Sequence, residues 1–229
     1  MGRPAAMATD KKQLHDVAFS KIYNKIITLE YEQGQILYEK QLIQELGIGR
    51  TPIREALLRL AANGLVDSNP NNAFVVSSIT LQNIKAVFES LEIMERGVIE
   101  LAVRYVASTS LKEMADAQKD VERAMEDVDI LGLVLSNYRF HMAFYRASRN
   151  EYLVHGLKRI RFETKRMAYL SYSHNVDQGS ALESHYETVR HEHGAIMQYL
   201  KDQDEESLHK ICRKHNKSFH ERIVTYLTT

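Results

Sequence analysis

The sequence has one cysteine, few prolines and glycines, and no long apolar run. Its single cysteine, Cys212, excludes an internal disulfide and predicts a reducing, cytoplasmic location. Three prolines and ten glycines in 229 residues leave room for long, uninterrupted helices. No segment approaches the roughly 18 consecutive apolar residues of a transmembrane helix, so no membrane partner is predicted.

The chain also lacks an excess of charge of either sign. It has 30 Lys and Arg residues and 30 Asp and Glu residues, which makes the formal net charge zero. This balance argues against a wholly basic nucleic-acid binder, but it leaves room for a small basic surface. The start of the chain has no apolar signal-peptide core, and residues 1–11 are expected to be a tag or a disordered segment.

The first part of the chain combines helical and strand-like patterns. Apolar residues recur at helical spacing in three segments, and two short β-prone runs then flank a turn rich in Asn. The predicted helices cover 17–29, 38–46 and 50–62, and the predicted strands cover 65–67 and 73–76. The sequence therefore predicts an N-terminal domain over residues 12–78.

Two of the predicted helices are arranged as in a helix-turn-helix. They are joined through Gly47-Ile48-Gly49, and the second helix begins with Arg50 and Thr51, followed one turn later by Arg54. In this architecture the N-terminal end of the second helix enters the major groove of DNA. Arginine suits bidentate contacts with guanine or phosphate, so this helix is predicted to read DNA, with the β-hairpin as a wing.

The rest of the chain, residues 79–229, is predicted to be helical throughout. Thr80 can cap a new helix, and apolar residues then keep the i, i+3, i+4, i+7 pattern from Ile84 to Tyr105. Further stripes of this kind predict about six or seven helices. The predicted fold class is therefore mainly α: a winged helix-turn-helix with three helices and a β-hairpin wing, followed by an all-α helical bundle.

Three histidines lie on the apolar stripes of three different predicted helices. They are His141, His193 and His215, and Asn137 lies one turn before the first of them on the same face. A single histidine on an apolar face is more often a core residue than a ligand. Three of them on three helices can converge in a bundle core, as metal ligands do in other helical bundles. The imidazole nitrogens of the three histidines and the amide oxygen of Asn137 are ligands that suit a divalent metal ion such as Zn²⁺ or Ni²⁺, so the sequence predicts a metal site here.

The run LYEKQLIQELGIGRTPIREALLRLAANGLV, residues 37–66, resembles the DNA-binding signature of GntR-type bacterial transcription regulators. This resemblance implies a winged helix that binds double-stranded DNA at a palindromic operator as a homodimer. The positions that contact DNA in the family fall here on the following residues: Lys40, Arg50, Thr51 and Arg54, with Asn71 and Asn72 at the wing tip. Two departures are Gly49, where the family usually has Ser or Thr, and Ala73, where it usually has Gly.

The second part of the chain is similar to the FCD effector domain of the FadR-like branch of that family. The similarity rests on Asn137-Tyr-Arg-Phe-His141, on the pair Glu192-His193, and on His215, which match the family's metal-binding pattern. The family usually has Asp at the position of Asn137. Loss of that negative charge implies a weaker or different metal preference, or a metal-independent pocket.

Arg96 matches an arginine that faces the effector pocket in many FCD domains, which implies a small organic acid as the effector. The acid would then contact both Arg96 and the metal. The alternative for Arg96 is a surface salt bridge with Glu92 or Glu100, each four residues away.

These residues are compatible with three functions. The first is a ligand-responsive DNA-binding regulator, expected to be a repressor. The second is a metal-dependent enzyme, but no clear general base accompanies the histidines: Glu192 precedes His193 directly, about 100° round the helix. The third is a metal-free structural dimerisation module joined to a DNA-binding domain. We expect the first of these and do not expect an enzyme.

Overall fold

The computed structural model describes residues 5–68, 73–173 and 179–228. Contacts divide the chain into two compact units, Met1–Ile79 and Thr80–Thr229. Each unit is built around its own buried apolar core. No helix in the described ranges is long and apolar enough to span a membrane.

The first unit contains three helices and a small antiparallel sheet. The elements are α1 (Ala5–Ile27), β1 (Ile36–Leu37), α2 (Glu39–Leu46), α3 (Arg50–Ala62), β2 (Val66–Ser68) and β3 (Phe74–Val76). The strand order is β1-β3-β2, with Leu37 opposite Phe74 and Val66 opposite Val76. The predicted β-hairpin is therefore present as β2 and β3.

Two features of this unit differ from the sequence-based prediction. Strand β1 was not predicted, because its two residues are too few to show a pattern and depend on pairing with β3. Helix α1 begins at Ala5, so part of the segment expected to be a tag or disordered start is helical. The residues that follow Pro4 include several Ala and Lys and no Gly or Pro, which favours a helix.

The turn between α2 and α3 is produced by two glycines. Gly47 has a φ of 66° and donates its backbone N–H to Ile43, which closes the C-terminus of α2. Gly49 precedes α3 in an extended conformation and supplies no side-chain cap. Ile53 and Leu57 of α3 are fully buried, so the helix packs by one face and leaves the opposite face to solvent.

The second unit is a bundle of long helices. These are α4 (Leu81–Tyr105), α5 (Ser108–Glu126), α6 (Ile130–Arg146), α7 (Glu151–Ser173), α8 (Gly179–Asp202) and α9 (Glu205–Thr228). Thr80 caps α4 by accepting the backbone N–H of Asn83, and Asp129 caps α6 by accepting that of Gly132. The predicted fold class, a winged helix-turn-helix followed by a helical bundle, is confirmed.

The core of this bundle contains polar side chains among large apolar ones. Phe140, Phe144 and Tyr145 of α6 are fully or almost fully buried. The buried polar residues around them include Glu95, Gln118, His141, Arg161, Glu192, His193, His215 and Asn216. Burial of a polar group is costly unless the group is hydrogen-bonded, so a cluster of buried polar side chains indicates a candidate functional site.

The N-terminal cap of α6 offers a test of the bundle's local stability. Asp129→Ala is expected to lower the free energy of unfolding by about 1 kcal/mol, because the N–H of Gly132 loses its acceptor. For a chain of this length the midpoint of thermal unfolding falls by about 2–4 °C, measured by circular dichroism. Asp127→Ala removes the same charge from an exposed position just after α5 and is the control. Equal midpoints for the two variants would contradict the cap.

Candidate metal centre and DNA-binding surface

The helical unit brings three histidines together in its core. His141 comes from α6, His193 from α8 and His215 from α9. One ligand nitrogen of each lies within 4.8 Å of those of the other two, and all three side chains are buried. In the described part of the chain, this is the one group of His, Cys, Asp or Glu side chains whose spacing could hold a metal ion.

Two of the histidines are oriented by acceptors behind them. The Nδ1 of His193 lies 2.7 Å from Oε1 of Gln118, and the Nδ1 of His215 lies 2.9 Å from Oε2 of Glu192. An amide oxygen and a carboxylate both accept, so each Nδ1 carries the hydrogen and each Nε2 presents a lone pair. The Nε2 of His193 is buried and has no partner among the described residues. Metal-binding histidines are held in this way.

His141 has a different neighbour behind its ring. Its Nδ1 lies 3.4 Å from a terminal nitrogen of Arg161, which can only donate. The hydrogen of the ring is therefore on Nε2, which lies 3.3 Å from the Nε2 of His215. For a metal ion to bind at Nε2 of His141, the ring hydrogen would have to move to Nδ1, because a neutral imidazole binds metal only through the nitrogen that carries no hydrogen.

Asn137, the fourth ligand predicted from the sequence, lies one turn before His141 on α6. Its Oδ1 is buried and makes no hydrogen bond to any described residue, and the side chain lines a small cavity together with His141. An unsatisfied buried amide oxygen is costly unless something binds it. The three imidazole nitrogens therefore suit a divalent metal ion such as Zn²⁺ or Ni²⁺, and Asn137 stays a predicted fourth ligand.

Burial keeps the imidazoles of His141 and His193 neutral. Desolvation lowers the pKa of His141 well below 6.5, and the charge of Arg161 lowers it further. Desolvation also lowers the pKa of His193 well below 6.5, and electrostatic interactions with neighbours that include Arg161 lower it further. Only a neutral imidazole binds metal, so both residues remain competent ligands in mildly acidic solution.

A buried ion pair stands beside the histidines. Oε1 of Glu95 accepts hydrogen bonds from a terminal nitrogen of Arg161, at 2.7 Å, and from the hydroxyl of Tyr145. Oε2 of Glu95 accepts a hydrogen bond of 2.6 Å from the side chain of Asn216. This network was not predicted from the sequence. The available signal was that Glu95 occupies an apolar stripe position, four residues after the fully buried Leu91.

Arg96 faces a different space from the histidines. A cavity of about 620 Å³ lies between α4 and α9 and is lined by Arg96, by Phe88 and by the inner residues Glu95 and Asn216. The three histidines are not among its lining residues. Glu95 and Asn216 also line a small cavity with His141 and His215, and the expectation that one ligand touches both Arg96 and the metal stays a prediction.

The alternative for Arg96, a salt bridge with Glu92 or Glu100, is not formed among the described residues. Glu92 pairs instead with Arg213, at 3.3 Å, and Arg96 makes no hydrogen bond or ion pair with any residue in the described ranges. Arg96 is exposed, so its guanidinium is available at the edge of the cavity.

The predicted DNA-contacting residues of the first unit lie at the surface. Lys40, Thr51, Arg50 and Arg54 are all exposed. Both arginines donate to the same carboxylate, that of Glu39 on α2, with distances of 3.2 Å each. Asn71 and Asn72, the predicted wing tip, lie outside the described residues.

Comparisons with known proteins agree with this architecture. Residues 14–76 match the model of the bacterial regulatory proteins of the gntR family, and residues 86–218 match the FCD domain. The chain is 23% identical over 193 residues to the uncharacterised HTH-type transcriptional regulator YdhC of Bacillus subtilis (strain 168), covering 82% of this chain and 81% of YdhC.

Two further comparisons involve proteins of Escherichia coli. The chain is 19% identical over 190 residues to the HTH-type transcriptional repressor RspR (strain K12), covering 83% of this chain and 80% of RspR. The solved structure of E. coli McbR/YncC superposes with a TM-score of 0.76 at 20% identity, covering 93% of this chain and 97% of McbR/YncC. These relatives are transcriptional regulators, which argues against the enzyme alternative. The chain belongs to the GntR family of DNA-binding transcription regulators, and it carries an FCD domain.

Proposed function

We propose that the protein is a ligand-responsive repressor that binds a palindromic operator as a homodimer and senses a small organic acid through a metal-containing helical domain. The observation that carries this proposal is the pair of exposed arginines, Arg50 and Arg54, at the start of the second helix of a helix-turn-helix. The relative RspR is named as a repressor, which favours repression over activation. Such a protein acts in the cytoplasm, where bacterial DNA lies.

An apolar surface on the helical unit favours the homodimer. Tyr152 on α7 and Ile93 on α4 have exposed fractions of 91% and 73%, the largest among the big apolar side chains described. In the sequence, Ile93 precedes Met94 and Tyr152 lies one turn before Gly156, and Met94 packs against Gly156. Large exposed apolar side chains can mark an interface, and a second copy of the chain would bury them.

DNA binding is tested with Arg50→Ala combined with Arg54→Ala. We expect this double variant to lose sequence-specific binding, because each bidentate arginine contributes about 1–3 kcal/mol of discrimination. The target is a duplex that the wild-type chain recovers from a random-sequence pool, and affinity is measured by fluorescence anisotropy. Sedimentation of the wild-type complex is expected to give two chains per duplex.

Arg59→Ala is the matched control for the double variant. Arg59 lies at the other end of α3, where it pairs with Asp16 and covers the ring of Phe19. This control should bind the selected duplex nearly as well as the wild type does. Normal binding by the double variant would rule out α3 as the reading helix, and one chain per duplex would rule out the dimer.

The metal ion is proposed to be held by His141, His193, His215 and Asn137. The unpartnered Nε2 of His193 and the unpartnered Oδ1 of Asn137 support this assignment, because both are buried. A divalent ion would supply positive charge to these two atoms and join α6, α8 and α9. Zn²⁺ and Ni²⁺ are the expected ions, because imidazole is the main donor.

Metal binding is tested by elemental analysis and by competition with a chromogenic chelator. His193→Ala is expected to weaken zinc binding by more than the roughly 10- to 100-fold that loss of an outer-shell partner costs. Asn137→Asp is expected to strengthen it, because a carboxylate adds a negative charge. Between pH 7.5 and pH 6, zinc content should fall less than at a site of exposed histidines, because the pKa values of His141 and His193 are lowered.

The exposed His155 supplies the control, and His155→Ala should leave zinc binding unchanged. Full zinc binding by His193→Ala would show that the ligands are elsewhere. A wild-type chain that binds neither zinc nor nickel would favour the metal-free dimerisation module.

The effector is proposed to be a small carboxylate that binds Arg96 in the cavity between α4 and α9. The volume of about 620 Å³ suits a small molecule. Arg96 has no partner in the described part of the chain, and guanidinium pairs well with carboxylate. Phe88 and Ile99 supply apolar lining for the rest of the ligand. The acid regulates DNA binding only if it prefers one of two arrangements of the dimer.

A thermal-shift screen of mono- and dicarboxylic acids, with and without chelator, tests the effector. A ligand present at one hundred times its Kd stabilises the folded state by about 2.7 kcal/mol, which is easily measured. Arg96→Ala is expected to abolish the shift. Arg104→Ala removes an exposed arginine of the same helix that does not line the cavity, and it should retain the shift. An unchanged shift in Arg96→Ala would exclude the proposed clamp.

A further inference from the structure

Glu39 lies at the centre of the DNA-binding surface, although it carries the wrong charge to bind DNA. It is the first residue of α2, 11 positions before Arg50 and 15 before Arg54. Its side chain is only 10% exposed, whereas those of Arg50 and Arg54 are 79% and 49% exposed. A carboxylate is thus held beneath two arginines that project into solvent.

Both oxygens of Glu39 are used, one for each arginine. Oε2 accepts from Nε of Arg50, and Oε1 accepts from a terminal nitrogen of Arg54, each at 3.2 Å. A guanidinium has five N–H groups in a rigid fork, so each arginine still has an edge with two parallel donors. That edge is what a guanine base requires.

This arrangement has opposite effects on two kinds of DNA binding. Long exposed side chains lose rotamer entropy when they bind, and arginines already held in one orientation lose less. Glu39 therefore raises the affinity for the specific DNA sequence. Binding to phosphates of any sequence depends on net positive charge, which Glu39 reduces.

We propose that Glu39 is a positioning residue for DNA recognition: it orients Arg50 and Arg54 for base contacts and lowers non-specific affinity for the DNA backbone. This inference rests on the proposed role of the two arginines in operator binding. A positioning role for Glu39 differs from a purely electrostatic one. If Glu39 acted only through its charge, removal of the carboxylate would raise the affinity for every duplex, whatever its sequence.

Glu39→Gln separates the two possibilities. Glutamine keeps the size of the side chain, but its amide nitrogen is a donor and cannot accept from a guanidinium, so one arginine is released. The two probes are the duplex that the wild-type chain selects from a random-sequence pool and the unselected pool itself. We expect the ratio of the two affinities to fall about tenfold, while affinity for the unselected pool stays equal or rises.

Glu45→Gln is the matched control, because it removes the same charge from the same helix. Glu45 bonds to Tyr31 and Lys25 and does not contact Arg50 or Arg54. Its affinities for both probes should change together, so that their ratio stays at the wild-type value. Glu39→Asp keeps the carboxylate on a shorter side chain, and we expect it to restore part of the ratio. Circular-dichroism melting checks that each variant is folded.

An unchanged ratio in folded Glu39→Gln would overturn the positioning role. If Glu39→Gln does not fold, a wild-type ratio in Glu39→Asp would overturn it in the same way, since the shorter side chain cannot reach both arginines as before. A wild-type chain that selects no sequence from the pool would overturn operator binding itself, and this inference with it.

Discussion

The ion pair between Glu95 and Arg161 lies in the core of the helical unit, away from water, and the arrangement of the site depends on it. Glu95 comes from α4 and Arg161 from α7, and the pair also bonds to Tyr145 of α6 and Asn216 of α9. Charges buried in this way are tolerated only when their hydrogen-bonding capacity is satisfied. Four helices must therefore keep their relative positions for the two charges to remain paired.

This ion pair also sets the surroundings of the histidines. Arg161 donates toward Nδ1 of His141 and so determines which ring nitrogen carries the hydrogen in the metal-free centre. Glu95 balances the charge of Arg161, which limits the repulsion that a metal ion would meet. Glu95 and Asn216 line both the large cavity beside Arg96 and a small cavity beside His141. The two cavities therefore share a wall of packed, hydrogen-bonded side chains.

The DNA-binding unit also pairs a glutamate with arginine, but at the surface instead of in the core. Glu39 is held under Arg50 and Arg54 at the surface, where water screens the charges and the contact contributes little to stability. The main effect of this contact is to set the direction in which the side chains of Arg50 and Arg54 point. The zero net charge of the chain is thus compatible with DNA binding, because what matters is the placement of a few arginines and of the carboxylate between them.

Local signals in the sequence determined most of the secondary structure. Helix α3 was predicted at 50–62 and runs from Arg50 to Ala62. Its ends were predictable because the glycines before it and Asn63-Gly64 after it interrupt the helix locally, without help from distant residues. The spacing of the histidines likewise placed them on the inner faces of their helices. Tertiary packing decided the rest: β1 pairs with a strand far along the chain, and Glu95 meets Arg161 across 66 positions. The residues next to Glu95 in the sequence do not indicate which side chain it will pair with, because only the packing of α4 against α7 brings Glu95 and Arg161 together.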